Sequence, residues 1–187
     1  MPKKVILASS SPRRKDILTQ AGIAHNVIVS GVDETATGSP AEMVEEIAMR
    51  KAQAVLELIE YDEDTIVIAA DTIVYANNQV MGKPTTTEEA FDMLRQLQDN
   101  DHEVYTGVAM LTGKKATVFF DMTEVTFRQL SDDEIMDYIA TGEPFDKAGG
   151  YGIQGRGATL VERINGDFYT VVGLPIAKVV YKLRQLD

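Results

Sequence analysis

Apolar positions along this chain switch between strand-like and helix-like spacing, and the switches mark its elements. Val5 to Ala8 is a short continuous apolar run, read as a strand. Pro12 to Ala21 keeps helical spacing through Ile17, Leu18 and Ala21 and is stopped by Gly22. Asn26 to Val29 predicts a second strand. Ser39-Pro40 offers an N-cap and a first-turn proline for a long helix ending near Leu58. Its predicted apolar face is Met43, Val44, Ile47, Ala48, Ala52, Val55 and Leu58.

Thr65 to Ala70 is continuously apolar and β-branched, which suits a central strand buried on both faces. Thr72–Tyr75 and Val80–Met81 flank Asn77-Asn78, a hairpin turn. Thr86-Thr87-Glu88-Glu89 carries a capping-box pattern for a helix to Leu97. Glu103–Leu111 and Ala116–Phe127 read as long strands joined at Gly113-Lys114, and Ser131-Asp132-Asp133-Glu134 caps a helix stopped by Gly142. A glycine-rich loop over 143–157 follows. Ala158–Ile164 and Phe168–Val172 predict a hairpin through Asn165-Gly166, and a last helix starts near Pro175. Crossover helices mixed with hairpins predict an α/β protein with a mixed β-sheet flanked by helices. The 187 residues fit one domain over 1–187, with room for two lobes around a central cleft.

Composition narrows the partners. The formal net charge of -11 argues against binding a nucleic-acid polymer, which needs an extended basic surface. A small polyanion is still admissible if a few cations converge. There is no cysteine, hence no disulfide framework and no thiolate metal site. The basic Met1-Pro2-Lys3-Lys4 precedes only Val5–Ala8, too short a core for a secretory signal, and Thr65–Ala76 is too short for a membrane span. A cytoplasmic location is expected, with no membrane partner.

Three places carry candidate chemistry. Ala8-Ser9-Ser10-Ser11-Pro12-Arg13-Arg14 joins a strand to a helix start through hydroxyls and two guanidinium groups. Free backbone N–H groups, hydroxyl donors and arginine forks suit phosphate oxygens, and arginine there opposes the helix dipole unless an anion is present. The same residues also read as an ordinary Ser-capped helix with Pro at its first position and solvated arginines. Second, Asp71 is expected at the C-terminal end of a buried strand, where a carboxylate needs a partner and where α/β sheets gather ligands; a turn-capping Asp is the plainer reading. Third, Asp146 to Gly157 interleaves Lys147, Tyr151, Gln154 and Arg156 with glycines at 149, 150, 152, 155 and 157. Such a loop can wrap a nucleotide, with Gln154 presenting a donor and an acceptor to a base edge, or it can be merely flexible. Lys83 in Gly82-Lys83-Pro84 is a weaker ligand candidate that a surface turn explains equally well. His25 and His102, the two histidines, stand in no metal-ligand spacing, and nothing orients His25 for a Ser-His-Asp triad.

The ordered set Ser9 to Arg14, Ala70-Asp71-Thr72, Gly82-Lys83-Pro84 and Asp146 to Gly155 resembles the Maf family of nucleoside triphosphate pyrophosphatases over essentially the whole chain. The resemblance implies hydrolysis of a nucleoside triphosphate to the monophosphate and pyrophosphate with a divalent metal cation (Mg2+ or Mn2+). It implies an elongated α/β fold similar to that of the inosine triphosphate pyrophosphatases, and a homodimer. The family's proton acceptor falls on Asp71, its phosphate-binding residues on Ser9, Arg13, Arg14, Lys51, Lys83 and Lys147, and an acidic position that supports the metal or the water on Glu34. Arg13, Thr72 and Gln154 are similar to the branch acting on dTTP and UTP, whereas the 7-methyl-GTP branch carries Trp, Gln and Glu there. A non-catalytic nucleotide-binding regulator of cell division is the competing class, and a sugar-nucleotide transferase a third reading.

Overall fold

A computed structural model of the protein describes residues 4–60 and 64–186; Met1-Pro2-Lys3 lies outside them. Its elements are β1 (Lys4–Leu7), α1 (Pro12–Gln20), β2 (His25–Val27), α2 (Pro40–Leu58), β3 (Thr65–Ala76), β4 (Gln79–Met81), α3 (Thr87–Leu97), β5 (Asp101–Leu111), β6 (Ala116–Phe127), α4 (Asp132–Ile139), β7 (Val161–Asn165), α5 (Phe168–Val172) and α6 (Ile176–Leu183). The strands form one sheet in the order β2-β1-β3-β5-β6-β7, with β4 beside β3. β1 pairs in parallel with β2 and β3, while β3/β4 and β6/β7 are antiparallel, so the sheet is mixed as expected. Among the described residues no helix is long and apolar enough to cross a membrane.

Hydroxyl caps set most of the helix starts. Ser39 and Ser131 form complete capping boxes with Glu42 and Glu134. Thr86 caps α3 by accepting the Glu89 N–H at 3.1 Å, but Glu89 does not complete the expected box. Its carboxylate takes both the N–H and the hydroxyl of Thr85 at 2.7 Å, one residue before the cap. Asn77 and Asn78 turn the β3/β4 hairpin at φ of 52° and 60°, the left-handed values that a two-residue turn requires.

Two compact units divide the chain: Met1–Asp71 with Thr106–Asp121 and Gly173–Asp187, and Thr72–Tyr105 with Met122–Val172. In the first, Ala48, Ala52 and Val55 of α2 pack on Ile6, Ala8, Val67, Ala69, Ala109 and Leu111. Gly107 lets α2 sit directly on β5, since a Cβ there would lie 2.3 Å from the carbonyl carbon of Val44. Leu58, expected in this core, is 68% exposed where α2 ends.

In the second unit Leu94, Leu97, Val104, Val125, Phe127, Ile135 and Leu160 form the core. His102, 3% exposed, stacks edge-to-face on Phe127 and Tyr151. Its Nε2 lies 2.6 Å from the Tyr151 hydroxyl, and its Nδ1 is buried without a hydrogen-bond partner. Burial lowers its pKa from 6.5 to about 4, against the opposing pull of Asp101. In the unfolded chain this imidazole takes a proton near its ordinary value, whereas the native state resists protonation. Stability is therefore full above about pH 6.5 and falls as pH drops through about 4. At ~1.4 kcal/mol per pKa unit the loss approaches about 3 kcal/mol. Chemical denaturation from pH 7 to 4 measures it, and His102→Phe should flatten that part of the profile.

Two expectations fail. β3 does not stop at Ala70: Thr72 to Ala76 continue it into the hairpin, so Asp71 sits mid-strand rather than at a strand end. Phe168–Val172 is helical, not the second arm of a hairpin. Gly166 adopts φ 140°, far from the left-handed value a two-residue turn needs, and the Asp167 carboxylate accepts the N–H of Tyr169 at 2.9 Å. That local cap outweighs the strand preference of Phe-Tyr-Thr-Val-Val. The glycine-rich stretch is also not featureless: it folds as three short 3-10 turns at Glu143–Asp146, Ala148–Gly150 and Gly155–Thr159.

Candidate active site

Ser11 caps α1 by accepting the Arg14 N–H at 3.5 Å, with Pro12 in the first turn. The plainer reading of this segment is thus right about the cap and the proline, but not about solvated arginines, since Arg14 is buried. The cap turns Arg14 inward, where it is 9% exposed beside Ile17 and Leu18. Its Nη1 donates to Ser9 Oγ at 3.1 Å and its Nε to the Gly173 carbonyl at 2.7 Å, 159 positions away. Ser9 Oγ also accepts the Ser11 N–H at 3.2 Å, so strand end, cap and guanidinium form one network. Burial lowers the Arg14 pKa, Arg13 adds to that, and Asp71 and Glu34 oppose it. A guanidinium keeps its proton through shifts of this kind, so Arg14 is a buried, oriented positive charge.

Asp71, 8% exposed, is compensated by Lys51, 7% exposed, whose Nζ donates to Asp71 Oδ1 at 2.8 Å. The same ammonium lies 2.9 Å from Glu34 Oε1. Lys51 occupies the apolar face of α2, in register with Val44, Ile47, Ala48 and Val55, which explains how a lysine from a helix reaches a mid-strand carboxylate. Glu34 arrives from a loop that Arg50 fastens to α2, its Nη1 donating to the carbonyls of Asp33 at 2.7 Å and Thr35 at 2.9 Å. Nothing in the sequence pattern marked Arg50. Lys51 was marked only by resemblance, although a lysine among buried helical positions is itself a signal.

Ser9, Arg13, Arg14, Glu34, Lys51 and Asp71 all belong to the first unit, where the Lys51 ammonium bridges the Asp71 and Glu34 carboxylates. Thr72, Lys83, Lys147 and Gln154 belong to the second. There the Gly149 N–H donates to the Gly82 carbonyl at 2.9 Å, tying the Gly-Lys-Pro segment to the glycine-rich stretch. A Cβ at Gly149, φ 69°, would come within 2.9 Å of Val74, so only glycine fits. Lys83 is exposed. Lys147 instead donates to the Glu143 carbonyl at 2.7 Å and to Asp146 Oδ1 at 2.6 Å, with its stem over Gly152. Gln154 is exposed.

Among the described residues no group of three or more His, Cys, Asp or Glu could hold a metal ion. Asp71 and Glu34 nevertheless both approach the single Lys51 ammonium, a donor set that fits a magnesium-like ion held by one or two carboxylates and substrate phosphates.

A family model described as Maf-like protein matches residues 4–186. A dTTP/UTP pyrophosphatase of Bacillus cytotoxicus is 52% identical, covering 99% of this chain and 96% of that protein. A dTTP/UTP pyrophosphatase of Bacillus cereus is 49% identical with the same coverage. A solved structure of a nucleoside-triphosphatase / dITP/XTP pyrophosphatase from Mycobacterium abscessus matches over 98% of this chain and 97% of its own, at 14% identity and a TM-score of 0.48.

Proposed function

This chain belongs to the Maf family, and on that premise we propose that it is a nucleoside triphosphate pyrophosphatase hydrolysing dTTP and UTP to the monophosphate and pyrophosphate. The observation that carries the reading is the buried carboxylate of Asp71, held on one oxygen by Lys51 in the same unit as the bonded guanidinium of Arg14. A reaction that builds charge on phosphate oxygens needs oriented cations beside a group that handles water.

In this reading Asp71 receives the proton of, or orients, the water that attacks the α-phosphorus. Lys51 fixes Oδ1, which leaves Oδ2 for that water. Arg13 and Arg14 bind phosphate oxygens, with Ser9 holding the Arg14 fork in its plane. Pyrophosphate leaves with the charge these groups have stabilised. Glu34 and Asp71 would hold a divalent cation (Mg2+ or Mn2+), which when bound supplies positive charge to the phosphates and lowers the pKa of coordinated water. Lys147, turned onto Glu143 and Asp146, serves the loop before it serves a phosphate. Gln154 reads the mixed donor and acceptor edge of uracil or thymine, where a purine branch would want a carboxylate for guanine's donors. A homodimer of cytoplasmic location accompanies this reading, and light scattering of the purified chain should give twice the chain mass.

Incubation with each common nucleoside triphosphate and Mg2+ or Mn2+, with pyrophosphate assayed, tests the function. The expected outcome is kcat/KM for dTTP and UTP at least about tenfold above ATP and GTP, a margin of ~1.4 kcal/mol. Binding without pyrophosphate release from any nucleotide would establish the regulator reading instead.

A further inference from the structure

We propose that Glu143 is a positioning residue for base selection, its carboxylate clamping the segment that carries Gln154. Glu143 Oε1 accepts the N–H of Arg156 at 3.0 Å, and Oε2 that of Gly157 at 3.2 Å. On the other flank of Gln154, the Gly152 N–H donates to the Tyr138 hydroxyl at 3.3 Å. The Glu143 carboxylate thus ties down the segment after Gln154, and the Tyr138 hydroxyl holds the residue before Ile153.

The fit leaves no slack. A Cβ at Gly155, φ 63°, would lie 2.8 Å from Glu143 Oε1, and one at Gly157 would lie 1.9 Å from the Gly152 carbonyl oxygen. Glu143 is in turn held by its own backbone. Its N–H donates to Thr141 Oγ1 at 3.2 Å and its carbonyl accepts from Lys147 Nζ at 2.7 Å. Gln154 stands exposed before the turn at Gly155–Thr159 and makes no side-chain capping bond. Its amide is thus spare while the backbone around it is fixed. Backbone N–H groups donating to a carboxylate form stronger hydrogen bonds than neutral pairs, so this carboxylate is suited to the task. A base-reading amide discriminates only if its angle to the base is preset, because a mobile one would adapt to any edge.

The inference rests on the reading above in which Gln154 meets the base. Its test compares wild type, Glu143→Ala, Glu143→Gln and Gln154→Ala for kcat and KM with UTP and GTP, with thermal melts of each. Glu143→Ala should raise KM for UTP about tenfold with a much smaller change in kcat, because both charge-assisted hydrogen bonds to the segment are lost and the base-reading amide is no longer preset. The UTP-over-GTP preference should shrink in parallel. Glu143→Gln, which keeps one acceptor oxygen of the same shape, should restore part of it and decides the matter if the alanine variant does not fold. Loss of preference in Gln154→Ala with full preference in both folded Glu143 variants would overturn the clamp alone. Full preference in Gln154→Ala would remove the base-reading role, and the clamp with it.

Discussion

Asp71→Asn should lower kcat for dTTP and UTP by about 10³-fold, the range of a lost general base, while nucleotide KM changes by less than about threefold. Asparagine keeps the shape, and its amide oxygen still accepts from Lys51, so the substitution removes charge and basicity rather than packing. Steady-state kinetics beside a binding isotherm separate the two effects. Turnover within tenfold of wild type would reassign the proton to another carboxylate, and Glu34, which shares the same ammonium, is the one to substitute next.

Lys51→Met should be the most destabilising single change at the site. It preserves most of the side-chain volume but strands the buried Asp71 carboxylate, a loss of about 4 kcal/mol for breaking a buried pair. For a chain of this size that amounts to a melting temperature about 10 °C lower. Adding Asp71→Asn to Lys51→Met should recover part of the loss, because no unpaired charge is then buried. Glu34→Gln should shift stability by less than about 1 kcal/mol, since that end of the network is 53% exposed and screened by water. A Lys51→Met variant that melts with the wild type would show that the pair is not what holds the strand and helix together.

Local signals were the legible part of this chain. Ser11-Pro12, Ser39-Pro40 and Ser131 announced helix starts because a cap and its helix lie within four residues of each other. Asn77-Asn78 announced its hairpin for the same reason. Asn165-Gly166 misled, because the decisive contact there is the Asp167 cap that follows it. Asp71 was recognisable as an expensive residue, but its place in the strand was not. A carboxylate can sit mid-strand only when its counter-charge is supplied, and that comes from Lys51, twenty positions earlier. The bond from Arg14 to the Gly173 carbonyl spans 159 positions and involves a backbone oxygen, which leaves no trace in residue type. Glu143 escaped for the same reason, since its partners are backbone N–H groups that any residue could provide.

Where α2 crosses Gly107 the two main chains meet without a side chain between them. Elsewhere, layered elements can shear because methyl and methylene groups yield and re-seat, but bare peptide planes offer no such lubricant. The gap between the helix ammonium and the strand acid is therefore a fixed gauge, cut before any substrate arrives. Cross-linking α2 to β5 should therefore leave the catalytic rate intact.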